Sequence, residues 1–147
     1  METIKEYKIT PVKNDIKIPK ETIKDSISAY NVIRQFWNED IEVYESVFIL
    51  LTNRRNNTIG WAKISQGGIS SSIIDIKIVC KYVVDSFASG VILAHNHPTG
   101  NLNPSESDIK ITKQVKEAIK VFDCELIDHL IITPENNYFS FADERVI

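Results

Sequence analysis

The sequence predicts a single-domain α/β fold: a mixed β-sheet with flanking helices. Three observations predict it. Continuous apolar runs of strand length stand at residues 46–51, 91–94 and 126–132, the character of strands buried on both faces. Segments with apolar residues at helical spacing alternate with these runs. Polar turns at 53–57 and 134–137 join neighbouring strands as hairpins, which makes the sheet partly antiparallel. The resulting order is α-β-β-α-β-α-β-β, and 147 residues suit one hydrophobic core.

Taken in order, residues 1–20 are extended and charged, with Pro11 and Pro19 as breakers; Lys5 to Ile9 reads as an edge strand or a loose arm. Asp25 or Ser26 caps a first helix that runs to about Asn38, with Ile23, Ile27, Tyr30, Ile33, Phe36 and Trp37 as its apolar stripe. After the run at 46–51, residues 58–65 return as a second strand, and Gln66, Gly67 and Gly68 form a loop. A second helix is expected over 73–87, with Ile78, Val79, Tyr82, Val83 and Phe87 inward. The short strand 91–94 follows. A third helix covers 104–122, with Asn103 as N-cap, Pro104 at its first position and Glu106 at its third. Its stripe is Ile111, Val115, Ala118, Ile119 and Phe122. Strands at 126–132 and 138–141 complete the chain.

Composition bounds the function. With 43% hydrophobic and 25% charged residues, the chain reads as an ordinary globular protein. A net charge of −3 gives no support to a large basic nucleic-acid surface, although Arg54-Arg55 leaves a local basic patch open. No apolar run approaches the ~20 residues that span a bilayer, and the N-terminus has no signal-peptide core. The expectation is a cytoplasmic protein without a membrane partner. Cys80 and Cys124 lack a C-x-x-C arrangement and read as buried free thiols.

The chemistry gathers between Ala94 and Asp108. His95 and His97 are two residues apart, so an extended backbone past Ala94 points both imidazoles to one side. They stand at the carboxyl end of a buried strand, where open α/β sheets usually bind ligands. Asp108 lies three residues before Ile111 and extends the apolar stripe of the third helix. A carboxylate aimed inward costs several kcal/mol unless it is paired or binds a metal. Taken alone, Ser105-x-x-Asp108 reads as a capping box, and a His-x-His pair occurs by chance. Within one short loop, between a strand and a helix, they point to a metal site made by His95, His97 and Asp108. Zinc accepts such mixed ligands and keeps a fourth position for water, whose pKa it lowers toward ~7. Iron or manganese takes similar ligands.

The pattern His95-x-His97-x7-Ser105-x2-Asp108 resembles the signature of the JAMM (MPN-plus, or JAB) zinc metalloproteases. The fuller string His95-Asn96-His97-Pro98-Thr99-Gly100, then Pro104-Ser105 and Asp108, then Asp128-His129-Leu130-Ile131, resembles the RadC branch. The resemblance runs from about Glu45 to the C-terminus. It implies a cytidine-deaminase-like (JAB/MPN) fold, with residues 1–40 as an N-terminal extension and helix, and 41–147 as the RadC-like domain, packed as one unit. It also implies zinc on His95, His97 and Asp108, Ser105 as a stabiliser of the oxyanion, and an upstream glutamate as general base and then general acid. Glu45, just ahead of an apolar strand, is the candidate for that glutamate, and Glu42 is the alternative. The implied activity is hydrolysis of a peptide or isopeptide bond in a peptide or protein substrate.

The chain departs from the family pattern in two places. RadC proteins commonly carry an N-terminal helix-hairpin-helix region, for which there is no room before Glu45, and an arginine ahead of the second helix, which is Lys77 here or absent. The first departure weakens an inherited DNA-repair role. A DNA-associated factor and a metal-binding scaffold without catalysis therefore stand as the other readings. His129 beside Asp128 is either a satisfied structural histidine or a residue that supports the ligands or contacts substrate from outside the ligand set.

Overall fold

The computed structural model describes residues 3–6, 18–37, 39–67 and 74–147. Among the described residues, five strands form one sheet: β1 (Ser46–Thr52), β2 (Thr58–Gln66), β3 (Gly90–Asn96), β4 (Glu125–Ile132) and β5 (Tyr138–Ser140). The spatial order is β2-β1-β3-β4-β5. Only β3 and β4 pair in parallel; the other neighbours are antiparallel. The single parallel pair is the one joined by a helix, as a crossover connection requires. The mixed sheet and its flanking helices are those the sequence predicts.

The helices α1 (Ser26–Phe36), α2 (Ile76–Ser86) and α3 (Glu106–Lys120) cover the sheet from two sides. On one side, α1 packs Ala29, Val32, Ile33 and Phe36 against Phe48, Leu50, Ile92 and Ala94. This face is aromatic: the Phe36 and Trp61 rings stack at 4.5 Å, and Trp37 meets Phe48 at 4.5 Å. On the other side, α2 and α3 bury Val79, Val83, Val115 and Ile119 against Val47, Ile49, Val91 and Leu93. The whole of β1 and β3 is buried, which explains why both read as apolar runs without alternation. None of the helices among the described residues is long and apolar enough to cross a membrane.

The helix ends differ from expectation in ways that have physical causes. Asp25 caps α1 through a reciprocal box with Ser28. Its last turn stops at Phe36, and the expected end at Asn38 lies outside the described residues. Ile27 is 55% exposed, because it stands nine residues, two and a half turns, from Phe36 and so faces away from it. Asp75 caps α2, so that helix starts later than expected; Ile73 and Gly68 also lie outside the described residues. Ile78 is 36% exposed and Phe87 89% exposed. Phe87 is the C-cap, at φ 54°, where the chain has already left the helical path. Phe122 lies in the turn beyond α3 and is half exposed for the same reason. Gln66 ends β2 and is not a loop residue. Of the two free cysteines, Cys124 is buried and Cys80 only partly so.

Candidate metal centre

Alternation along β3 sorts its side chains. Val91 and Leu93 enter the core under α2 and α3, and Ile92 and Ala94 the core under α1. His95 continues the first row and Asn96 the second. The backbone stays strand-like one step further, because the His97 N–H donates to the Ile132 carbonyl at 2.9 Å. His97 therefore returns to the side of His95, as its spacing predicts. The chain then turns sharply: the Gly100 N–H donates to His97 O at 3.0 Å, and Gly100 sits at φ 85°. A side chain there would be strained by the backbone angle and would meet the Glu135 carboxylate at 2.9 Å. The turn brings the Asn101 carbonyl to 2.6 Å from His97 Nδ1. A carbonyl only accepts, so Nδ1 carries the proton and Nε2 presents a lone pair.

The start of α3 supplies the carboxylate. Its N-cap is Ser105, not Asn103, and Pro104 precedes the helix. Ser105 Oγ accepts from the Asp108 N–H at 3.0 Å, and the Ser105 N–H donates to Asp108 Oδ2 at 2.8 Å. The capping box is thus formed, and it closes on the carboxylate expected as a metal ligand. Asp108 belongs to the first helical turn, where the helix dipole favours a negative charge. The cap holds the Asp108 carboxylate in one orientation, with Oδ2 3.5 Å from both His95 Nε2 and His97 Nε2.

The two Nε2 atoms lie 3.0 Å apart. Zinc bonds of about 2.0–2.1 Å in a tetrahedral site imply ligand-to-ligand edges of about 3.3 Å. The three edges of the cluster, 3.0, 3.5 and 3.5 Å, bracket that value. One candidate ligand atom each from Glu45, His95, His97 and Asp108 falls within 4.8 Å of the others. The donor set fits a small divalent cation.

Glu45 reaches the cluster from the residue before β1. Asn96, on the opposite face of β3 from His95, holds that segment. Its Oδ1 accepts from the Ser46 N–H at 2.7 Å, and its Nδ2 donates to the Ile41 and Tyr44 carbonyls at 2.7 and 2.8 Å. The Gly67 N–H donates to Glu45 O at 2.8 Å from the end of β2. Glu42, the alternative, lies in the short 3-10 helix Glu39–Glu42, is exposed, and is not in the cluster. Burial raises the Glu45 carboxyl above its usual range; the neighbouring histidines oppose that shift and Asp108 adds to it.

The profile of the family described as "RadC-like JAB domain" matches residues 23–146. This chain belongs to that family. A UPF0758 protein of Flavobacterium johnsoniae is 45% identical over 103 residues, covering 70% of this chain and 44% of that protein. One from Porphyromonas gingivalis is 39% identical over 128 residues (87% and 56%), and one from Fusobacterium nucleatum 36% identical over 138 residues (92% and 58%). The chain spans about half the length of the curated relatives it matches. The JAB superfamily includes metalloproteases, and the cluster of Glu45, His95, His97 and Asp108 in this RadC-like domain could bind a metal.

Three further residues belong to the same construction. His129 is fully buried on β4, with Nε2 2.7 Å from His95 Nδ1. Its Nδ1 lies 2.7 Å from the hydroxyl of Thr112, one turn after Asp108 on α3. Phe141 stacks on its ring, with centroids 4.5 Å apart and planes 14° apart. Burial holds His129 neutral, and the neighbouring His95 lowers it further. Burial pushes Asp108 up, but the two histidines outweigh it and the carboxyl is held well below its usual range. Burial pushes His97 down, and hydrogen bonding to Asp108 and Asn101 overcomes this, so its net shift is upward.

Asn96 and Thr112 escape a reading of the sequence for ligands. Asn96 becomes legible once the strand is carried past Ala94. It then occupies a buried position on the α1 face, where an amide needs partners. Thr112 stands four residues after Asp108, on the face that Val115 and Ile119 continue.

Proposed function

We propose that this domain is a zinc-dependent hydrolase that cleaves a peptide or isopeptide bond in a peptide or protein substrate. The observation that supports it is the convergence of Glu45 with His95, His97 and Asp108 at the carboxyl end of β3. Two histidines and one carboxylate would hold the ion and leave its remaining position for reactants. When bound, zinc supplies Lewis acidity toward a carbonyl and toward water.

The chain's own groups do the rest. Glu45 is half-buried beside the ligands, within reach to take a proton from the attacking water and return it to the leaving amine. Ser105 Oγ uses a lone pair on the Asp108 N–H, which leaves its hydroxyl proton to donate toward a developing oxyanion. Asn96 keeps Glu45 in reach by tying the segment before β1 to β3.

Replacing Glu45 with Gln tests this reading. Zinc-loaded wild-type protein is expected to hydrolyse members of a panel of peptides and ubiquitin-like conjugates. Glu45→Gln is expected to keep zinc and lose at least about 100-fold in turnover, the range for a general acid-base group. Equal turnover by both proteins, or none by either across the panel, would count against hydrolysis.

A further inference from the structure

The hydrogen bonds behind the site fix where the imidazole protons sit. Thr112 Oγ1 lies 2.5 Å from the Asp108 carbonyl and donates to it. A carbonyl has no proton to give, and two bare oxygens would repel at that separation, so the hydroxyl proton is committed there. Thr112 Oγ1 also lies 2.7 Å from His129 Nδ1. With its one proton spent, the hydroxyl can only accept, so His129 carries its proton on Nδ1. His129 Nε2 then has a lone pair, and it accepts from His95 Nδ1–H at 2.7 Å. His95 Nε2 is left without a proton, facing His97 Nε2 at 3.0 Å and Asp108 Oδ2 at 3.5 Å.

We infer that Thr112 and His129 form a buried relay that holds His95 in its metal-binding tautomer. This rests on the reading of the cluster as a metal site and specifies how one ligand is prepared for it. The relay starts at the backbone of Asp108 and ends at His95, so it joins two ligands on different elements, α3 and β3, through β4. Thr112 and His129 are positioning residues: neither reaches the site itself. Their surroundings suit that task. Both are fully buried, and Phe141 from the last strand's end fixes the plane of the His129 ring. An isolated imidazole would sample both tautomers; here one hydroxyl, through one imidazole, selects for the other.

The relay makes a prediction that a packing role does not. Thr112→Val keeps the side-chain volume and removes the hydroxyl. His129 can then move its proton to Nε2, which pushes the His95 proton onto its own Nε2, where the metal would bind. Thr112→Ser removes a methyl and keeps the hydroxyl. Zinc affinity, measured by competition with a chromophoric chelator, is expected to fall about 10–100-fold in the valine variant and to stay within about threefold of wild type in the serine variant. Nitrogen-15 NMR of the histidine rings, on protein stripped of metal by a chelator, is expected to show Nδ1–H on His95 and His129 in wild type, with His95 shifting toward Nε2–H in Thr112→Val. Thr112→Val binding zinc like wild type, or Thr112→Ser as weak as Thr112→Val, would overturn the relay. So would Nε2–H on His95 in the wild-type spectrum. Failure of wild type to bind zinc would overturn the metal reading instead, and the NMR measurement would still decide the relay.

Discussion

The two faces of β3 end in polar residues that are treated differently. On the α1 face the row Ile92, Ala94 ends at Asn96, whose amide makes three hydrogen bonds to the backbone of Ile41, Tyr44 and Ser46. On the α2/α3 face the row Val91, Leu93 ends at His95, whose Nδ1 is tied to His129 and whose Nε2 faces another imidazole nitrogen and a carboxylate oxygen. One face is closed by the chain itself. The other brings three electron-pair donors together and calls for a cation. The difference teaches that neighbouring residues of one short motif do separate work: Asn96 ties the segment around Glu45 to β3, while His95 joins a cluster that could hold a metal.

Removing the closed end should cost the most stability. Asn96→Leu leaves the Ser46 N–H and two carbonyls without their partner, and about 2–4 kcal/mol is expected from denaturant unfolding. Zinc affinity should change little, because all three ligands keep their supports, whereas hydrolysis should fall as Glu45 loses its anchor. A large loss of zinc affinity with unchanged stability would reverse the roles assigned to the two faces.

A smaller effect is expected far from the ligands, on the α2/α3 face. Burial pushes the Cys124 thiol up to about 11. The folded protein therefore holds that proton more tightly than the unfolded chain does. The resulting stability is present below the unfolded thiol pKa and is lost as pH rises through the folded value. Thermal midpoints from pH 8.5 to 11 should fall less steeply in Cys124→Ala than in wild type. Parallel slopes would show that the thiol is not protected by its burial.

Much of this was readable from residues, and the gaps have physical causes. The apolar runs of β1 and β3 declare strands buried on both faces, and the mixed sheet follows from two hairpins and a helical crossover. His95, His97 and Asp108 stand out because their residue types and spacing sit between a strand and a helix. The start of α3 was ambiguous because two capping patterns overlap: Asn103-Pro104-Ser105-Glu106 and Ser105-x-x-Asp108. The second prevails, with both of its hydrogen bonds made. Helical periodicity carried Phe87 and Phe122 inward, but it cannot see that the backbone leaves the helix just before each of them. Asn96 and the Thr112–His129 link were hidden because they depend on pairing between segments distant in sequence.

The open end of β3 is proposed to bind one metal ion. Its most direct test is zinc titration of wild type and Asp108→Asn by calorimetry, with thermal unfolding in parallel. Asparagine keeps the size of the side chain and removes its charge. Wild type is expected to bind one zinc per chain and to gain about 5–10 °C in unfolding midpoint at zinc near 100 times Kd. Asp108→Asn is expected to bind far more weakly and gain little. Zinc that binds without one-to-one stoichiometry, or equally well to both proteins, would contradict a single metal site that includes Asp108.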